Sequence, residues 1–235
     1  MKNLTIITAV KNAENTIVNL IESLNSQSSK NFSWLIIDSN STDKTLFLIK
    51  KLSKMDYEIF SQDDFSIYHA LNIAIPKIQT EYYCVAGADD TFSKSFVENV
   101  DKILVTKKYD IIFGSIISNR IVYKPQLKYK FISPVNASHS IGTIIKTELH
   151  QTIGMYSKMY PIVADKKFVM DVLKLSKNIY FSNTIFGNYS QEGFSSVNSL
   201  DYICDLYKLQ IKYQQNIFIQ SILLFFRILK IKITR

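Results

Sequence analysis

The sequence predicts an α/β fold, a mostly parallel central sheet flanked by helices, followed by a C-terminal amphipathic helical tail. Three observations lead there. Short, almost wholly apolar runs alternate with segments whose apolar residues recur at helical spacing, as expected of strands buried on both faces and joined by crossover helices. Several of those runs stop at carboxylates, and sheets of this kind bind ligands beyond the carboxyl ends of their strands. The end of the chain differs in composition, with six basic residues and no acid from Leu206 to Arg235, so that only +2 of the net charge of +8 belongs to the rest.

The elements follow in order. Leu4-Thr5-Ile6-Ile7-Thr8-Ala9-Val10 is a first strand, because Lys11-Asn12 cuts the run short and no leader-type cleavage region follows. Residues 13–26 carry Ile17, Leu20, Ile21 and Leu24 on one helical face. Trp34-Leu35-Ile36-Ile37 is a second strand closed by Asp38, and the polar turn Ser39-Asn40-Ser41-Thr42-Asp43 caps a helix to about Lys54. A short third strand covers 57–60. A helix over 66–77 sets Ile67, Ala70, Leu71 and Ala74 on one face. A fourth strand occupies the first half of the stretch from Tyr82 to Phe92, a helix covers 93–105, and a fifth strand covers 110–114.

After Gly114 the alternation loosens. Residues 115–123 form a hairpin or extended segment, and 124–133 a basic, aromatic loop. A strand at 141–145, a short helix at 147–151, a helix opening at Ala164-Asp165, and strands at 179–181 and 185–189 complete the predicted domain. Gly and Pro are scarce and nothing is of low complexity, which excludes a disordered chain. Cys84 and Cys204 form neither a metal pattern nor a disulfide framework, which fits a reducing compartment.

The carboxylates draw the chemistry. In Gly87-Ala88-Asp89-Asp90-Thr91-Phe92 two acids stand side by side where an apolar strand ends. Neighbouring carboxylates repel, so a hard divalent cation, Mn²⁺ or Mg²⁺, explains the pair, and it could hold a diphosphate. A helix cap explains it equally.

Four stretches then stand in a telling order: Thr8-Ala9-Val10-Lys11-Asn12-Ala13-Glu14, Asp38-Ser39-Asn40-Ser41-Thr42-Asp43, Ser61-Gln62-Asp63-Asp64-Phe65-Ser66-Ile67-Tyr68-His69-Ala70-Leu71-Asn72, and Gly87-Ala88-Asp89-Asp90. In order and spacing the chain resembles the family 2 glycosyltransferases over residues 3–196. Within them it is similar to the bacterial branch that builds colanic acid, capsule and O-antigen polysaccharides.

The resemblance implies a GT-A fold, with a nucleotide-sugar-binding half at 1–114, an acceptor-binding half at 115–196, and a tail at 197–235. It implies an inverting transfer from a nucleotide-sugar, most commonly a UDP-sugar, to a hydroxyl of a saccharide or lipid-linked saccharide acceptor, with Mn²⁺ or Mg²⁺. Thr8, Val10 and Glu14 would line the nucleoside pocket, and Asp38 would accept from the base. Asp89 would face the ribose and phosphates, Asp90 would bind the metal, and Asp165 would be the general base. His139 falls where the subfamily carries a His near the acceptor cleft and would contact phosphate or metal. Tyr68 and Asn72, a turn apart, would order the donor loop. Gln191-Glu192-Gly193-Phe194-Ser195 matches a Gly-rich lid. Plain structural roles stand beside these: Asp165 as an N-cap, Tyr68 as packing, Asn72 as a surface amide, His139 as an ordinary hydrogen-bonded residue. The chain departs from the branch at Gly87, at Ser66 and His69, and at Ser39-Asn40, which replace an acid or amide, a Gly and an Asp, and a pair of glycines.

The chemistry asks for the same parts. Breaking a sugar–phosphate bond needs the growing diphosphate charge neutralised, and the acceptor hydroxyl needs a carboxylate to take its proton. A sugar nucleotidyltransferase, a dehydrogenase or a methyltransferase would need a Gly-rich phosphate loop that no strand here precedes. A degenerate, non-catalytic glycosyltransferase-like domain acting as a membrane-bound assembly partner is the remaining alternative.

Residues 214–226 are uncharged and lead into Arg227-Ile228-Leu229-Lys230-Ile231-Lys232. That is too short to span a bilayer but suits its anionic surface, predicting a cytoplasmic protein peripheral at the inner face of the cell membrane through residues 214–235. A helix docked on the protein's own core, or a dimer contact, is the other reading. Ile, Leu and Phe between the basic residues argue against nucleic acid.

Overall fold

The computed structural model describes residues 2–63, 66–127, 135–136, 139–190, 199–213 and 216–233. Its centre is a nine-stranded sheet in the order β3-β2-β1-β4-β10-β6-β11-β5, with β7 paired to β6. The strands are β1 (Leu4–Val10), β2 (Phe32–Asp38), β3 (Tyr57–Ser61), β4 (Tyr82–Val85), β5 (Thr91–Phe92), β6 (Ile111–Ser118), β7 (Ile121–Tyr123), β10 (Thr143–Lys146) and β11 (Ile179–Asn188). A separate two-stranded pair joins β8 (Gln126–Leu127) to β9 (Val135–Asn136). The helices are α1 (Ile17–Asn25), α2 (Thr45–Leu52), α3 (Ile67–Ala74), α4 (Phe96–Thr106), α5 (Leu149–Ile153), α6 (Ala164–Leu175), α7 (Ser199–Lys212) and α8 (Ile217–Ile233).

Alternation along the strands sorts the core into two layers. Ile6, Trp34, Ile36, Cys84, Ile112 and Ile144 face a cluster with Leu20, Ile21 and Leu24 of α1 and Phe96, Val97 and Val100 of α4. The other face sets Ile7, Leu35, Ile37, Tyr83, Phe113 and Ile145 against Ala70, Leu71 and Ala74 of α3 and Phe168, Val169 and Val172 of α6. Burying each large side chain stabilises the fold by about 1.5–3 kcal/mol. The sheet therefore clamps α3 and α6 on one face, and that pairing positions the candidate site.

Strands β1, β2, β3 and β4 are parallel neighbours, and β11 is parallel to β6. β10 lies antiparallel between β4 and β6, so its first residue sits at the edge where β1, β2 and β4 end. All of these ends form one rim. The sheet also runs unbroken through both expected halves, since β6 crosses the division at residue 114.

Two differences from expectation have local causes. The predicted strands at 179–181 and 185–189 are one strand, β11, whose register with β6 shifts at Phe181/Ile185 and again at Ile185/Gly187. Polar Ser182-Asn183-Thr184 break the apolar alternation, and the Ser182 and Thr184 hydroxyls bond each other at 2.6 Å, so the interruption is taken up as a bulge. The fifth strand continues past Gly114 to Ser118 and turns into β7 through Asn119 and Arg120, both at positive φ (47° and 64°), as a tight hairpin requires.

The tail is a helical hairpin. α7 packs against α6 and the segment before it: Lys166 Nζ lies 5.9 Å from the ring centre of Tyr202, Leu209 packs with Tyr160, Val163 and Met170, and the Tyr213 hydroxyl bonds Asp171. α8 returns along α7, with Tyr207 and Ser221 hydroxyls 3.0 Å apart and Gln220 buried. Its outer face leaves Ile217, Phe218, Ile222, Phe225, Phe226 and Leu229 in water, Phe218 at 78% exposure. Among the described residues no helix is long and apolar enough to cross a membrane.

Candidate active site

The rim collects most of the predicted residues, but it uses them differently on its two sides. On the first side, the loops after β1 and β2 are laced together. Asn12 adopts φ 49° and Asn40 φ 50°, so Asn40 supplies the left-handed backbone that a glycine would. The Asn12 amide oxygen accepts from the Thr42 N–H at 2.8 Å, and the Ser41 hydroxyl accepts from the Asn12 N–H at 3.0 Å. Glu14 accepts from the Lys44 N–H at 2.9 Å, while its own N–H donates to Asp43 at 3.0 Å.

Asp38, fully buried at the end of β2, accepts from the Ser41 N–H at 3.2 Å on both oxygens and from the Ser61 hydroxyl at 3.1 Å. A buried carboxylate needs such donors. Val10 is buried and its carbonyl accepts from the Ser39 N–H. Thr8 is fully buried, and its hydroxyl accepts from the Trp34 indole N–H at 3.0 Å. Its side chain is therefore part of the core and is not free to line a nucleoside pocket.

Next along the rim is the turn after β4. Asp90 is 2% exposed and accepts from the Gly87 N–H at 2.7 Å. Burial pushes its carboxyl up to about 7; hydrogen bonds from the Gly87 and Ser190 backbones oppose the rise and the Asp89 charge adds to it. A Cβ at Gly87 would stand 2.6 Å from an Asp89 carboxylate oxygen, so a larger residue there would make the Asp89 side chain swing aside. β5 continues directly from Asp90 and is pinned on β11, where a Cβ at Gly187 would meet the Thr91 carbonyl at 2.6 Å.

The second side is built by α3, α6 and the segment before β10. Asp165 lies in the first turn of α6, where Val163 holds the N-cap position without a side-chain cap bond. Asp165 accepts from the Tyr68 hydroxyl at 2.7 Å. Asn72, one turn further along α3, donates to the Tyr156 carbonyl and accepts from the Tyr156 N–H, both at 2.9 Å. Both side chains thus hold the entry to α6. Ser66, in place of a glycine, is the N-cap of α3, its hydroxyl accepting from the His69 N–H at 3.2 Å.

His139 stands at the start of the 3-10 turn leading into β10, stacked on Tyr189 with ring centres 4.2 Å apart. Burial lowers it to about 4, with Asp165 pulling upward and Lys166 downward. Its Nδ1 lies 3.4 Å from the Ser140 hydroxyl and 3.5 Å from the Ile141 N. Among the described residues no group of three His, Cys, Asp or Glu could hold an ion. A hard cation would rest on Asp90 with Asp89 beside it, and draw its remaining oxygens from diphosphate and water. The desolvated Asp90 carboxyl next to a second acid fits that task.

Sequence reading passed over Lys166. Burial works against its charge, but Tyr202, Asp165 and Tyr189 outweigh burial and raise its pKa. Lys167 beside it pairs with Asp171 at 2.6 Å, a pair visible at i,i+4. That pairing was the available signal that Lys166 turns elsewhere. The expected lid at 191–195 lies outside the described residues.

A family model described as Glycosyl transferase family 2 matches residues 5–163. The chain is 22% identical over 169 residues to the glycosyltransferase GlyA of Streptococcus pneumoniae, a match covering 71% of this chain and 23% of that protein. It is 25% identical over 194 residues to an uncharacterised glycosyltransferase of Haemophilus influenzae, covering 72% and 60%. A stretch of 95 residues, 38% of this chain, is 34% identical to 13% of a teichoic acid poly(glycerol phosphate) polymerase of Staphylococcus epidermidis. In structure it superposes on S. aureus TarS 1-349 in complex with UDP with a TM-score of 0.69 at 16% identity, covering 93% of this chain and 68% of that one. A mannosyltransferase of Pyrobaculum calidifontis in complex with GDP-Man and Mn²⁺ gives 0.66 at 14%, covering 91% and 64%. With the rim geometry and this match over most of its length, the chain belongs to glycosyl transferase family 2 and has the GT-A fold.

Proposed function

We propose that the chain is an inverting glycosyltransferase that moves a sugar from a nucleotide-sugar to a hydroxyl of a saccharide or lipid-linked saccharide acceptor at a membrane surface. The observation that carries this reading is the pair of carboxylate stations on one rim: Asp89-Asp90 after β4, and Asp165 at the start of α6, held by Tyr68.

The chemistry follows from those stations. The donor lies over the ends of β1, β2 and β4, with its nucleoside against Val10, Glu14 and Asp38 and its phosphates toward Asp89. Thr8 contributes backbone there, its hydroxyl being bonded to Trp34. A bound Mn²⁺ or Mg²⁺, held by Asp90 with Asp89 beside it, would neutralise the charge that grows on the diphosphate. Asp165 takes the acceptor's hydroxyl proton as the oxygen attacks the anomeric carbon. The carbon–oxygen bond to the phosphate breaks, its electron pair leaves with the diphosphate, and the new bond forms on the opposite face. UDP as nucleotide is favoured by TarS with UDP and with UDP-GlcNAc, and GDP is kept open by the mannosyltransferase.

A polymeric acceptor is favoured by the teichoic acid poly(glycerol phosphate) polymerase among the relatives. The membrane part of the reading rests on α8. Its outward residues are Ile217, Phe218, Ile222, Phe225, Phe226 and Leu229, and the sequence of the same segment carries Arg227, Lys230 and Lys232, a composition that suits an anionic interface.

The test is a thermal melt with UDP, dTDP and GDP, each with and without Mn²⁺, on wild type and Asp90→Ala. A nucleotide at 100 times its dissociation constant adds about 2.7 kcal/mol. The expected result is stabilisation by one nucleotide, dependent on metal and lost in Asp90→Ala. No shift with any nucleotide would leave the non-catalytic assembly partner ahead. For the tail, Phe225→Ser/Phe226→Ser is expected to abolish cosedimentation with phosphatidylglycerol vesicles. Unchanged sedimentation would remove the membrane part alone.

A further inference from the structure

We propose that Tyr68 is a positioning residue for Asp165, with α3 acting as the strut that fixes both the rotamer of this carboxylate and the entry to its helix. The inference rests on the reading of Asp165 as general base and deepens it.

Three independent contacts tie α3 to that entry. Tyr68 donates to Asp165 Oδ1 at 2.7 Å, and its hydroxyl also lies 3.2 Å from the Ile162 carbonyl. A phenol has one proton, so the short bond to the charged oxygen takes it. Asn72 engages both backbone groups of Tyr156. The rings of Tyr68 and Tyr156 stand 5.5 Å apart.

The Tyr156 side chain is then held from below by a buried chain of hydroxyls. His150 Nδ1 lies 3.0 Å from the Gly154 carbonyl, which has no proton, so Nδ1 donates and Nε2 must accept. Tyr83 therefore donates to Nε2 at 2.7 Å, and Tyr156 donates to Tyr83 at 2.8 Å. Every donor in this chain has one acceptor, so the arrangement has a single direction and resists rotation.

The consequence for Asp165 is specific. One carboxylate oxygen is held by Tyr68, leaving the other for the acceptor's proton. Burial and the Asp165 charge hold the Tyr68 hydroxyl well above its ordinary pKa of 10, so it remains a donor throughout the neutral range. The other ionisable groups whose charges act on this corner are His139 from the segment before β10 and Lys166 from α6, with Tyr189 and Tyr202 around the latter. Among the described residues none of these donates a hydrogen bond to Asp165, so the Tyr68 bond is the orienting one.

Tyr68→Phe removes the hydroxyl and keeps the ring. The experiment measures release of UDP or GDP from UDP-GlcNAc, UDP-glucose and GDP-mannose with Mn²⁺, for wild type, Asp165→Asn, Tyr68→Phe and Asn72→Ala, across pH 5–9. Melting curves and Mn²⁺–nucleotide affinity are taken on each. The expected result for Tyr68→Phe is a folded protein with donor KM within about twofold of wild type. Its kcat falls about 10–100-fold, and the acidic limb of its pH–rate profile moves upward. Asn72→Ala is expected to lower kcat without moving that limb. An unmoved limb with wild-type kcat in Tyr68→Phe overturns the inference, as does a loss confined to donor KM. Wild-type turnover in Asp165→Asn would instead overturn the base assignment, and the absence of both nucleotide binding and nucleotide release in wild type would overturn the transferase reading.

Discussion

The two sides of the rim are built over different distances along the chain. On the donor side the bonds that shape the loops after β1 and β2 join residues about thirty apart: Asn12 with Thr42, Glu14 with Lys44, Ala13 with Thr45. These are neighbouring loops of one βαβ unit, and each carries turn residues that bond the other. On the base side the partners are Tyr68 with Asp165 and Asn72 with Tyr156, separated by 97 and 84 positions. They meet only because α3 and α6 pack on the same sheet face. The donor side is therefore a local structure resting on the sheet, and the base side is a product of the whole fold.

That difference predicts how each side fails. The largest effect is expected at Asp90, where function and stability oppose each other. Its folded pKa, about 7, lies above the ordinary 3.8, so its contribution to stability is fully present below pH 3.8 and is lost as pH rises through 7. Asp90→Asn keeps an acceptor for the Gly87 N–H and removes the buried charge. In the absence of nucleotide it should be more stable than wild type at pH 8 by about 2–4 kcal/mol, with the gap closing toward pH 4, in urea melts at the two pH values. It should also lose metal-dependent nucleotide binding. A variant less stable than wild type at pH 8 would mean that Asp90 is held by contacts rather than kept for a ligand.

Asn72→Ala comes next. It leaves both backbone groups of Tyr156 without their partner, at a cost of about 1–3 kcal/mol. Calorimetry should show that loss with nucleotide affinity preserved, because the damage is on the base side. If nucleotide affinity falls instead, the two sides are not separable. Glu14→Ala should have the smallest effect, about 0.5 kcal/mol, since its bond to the Lys44 N–H is exposed. Its consequence should appear as a weaker UDP affinity with little change in turnover at saturating donor.

The same contrast explains what could be read from the sequence. Strands β1 to β4, β6 and β10 were legible because each is an apolar run of the right length. Asp38 and Asp89-Asp90 were legible because they close such runs. Asn40 and Ser66 looked like losses of glycine, yet one adopts the glycine conformation and the other caps α3. Thr8 could not be recognised as core, since its bond to Trp34 crosses between adjacent strands. Tyr68, Asn72 and Asp165 were each picked out as functional, but the bonds of Tyr68 to Asp165 and of Asn72 to Tyr156 were not, because nothing local in the sequence pairs α3 with α6. The antiparallel placement of β10, which brings His139 to the rim, was hidden for the same reason. The tail divided in a way composition could not reveal: α7 belongs to the core around Tyr160 and Met170, and only α8 keeps an apolar face outward.

The most direct test of a rim with two separable sides is to measure Mn²⁺-dependent nucleotide binding and nucleotide-sugar turnover together in Asp90→Asn and Asp165→Asn. A general base contributes about 10²–10⁴-fold to rate and nothing to donor affinity. The account predicts that Asp165→Asn binds nucleotide as wild type does and loses turnover by that factor, while Asp90→Asn loses both. Loss of binding in Asp165→Asn, or turnover retained in either variant, would contradict it.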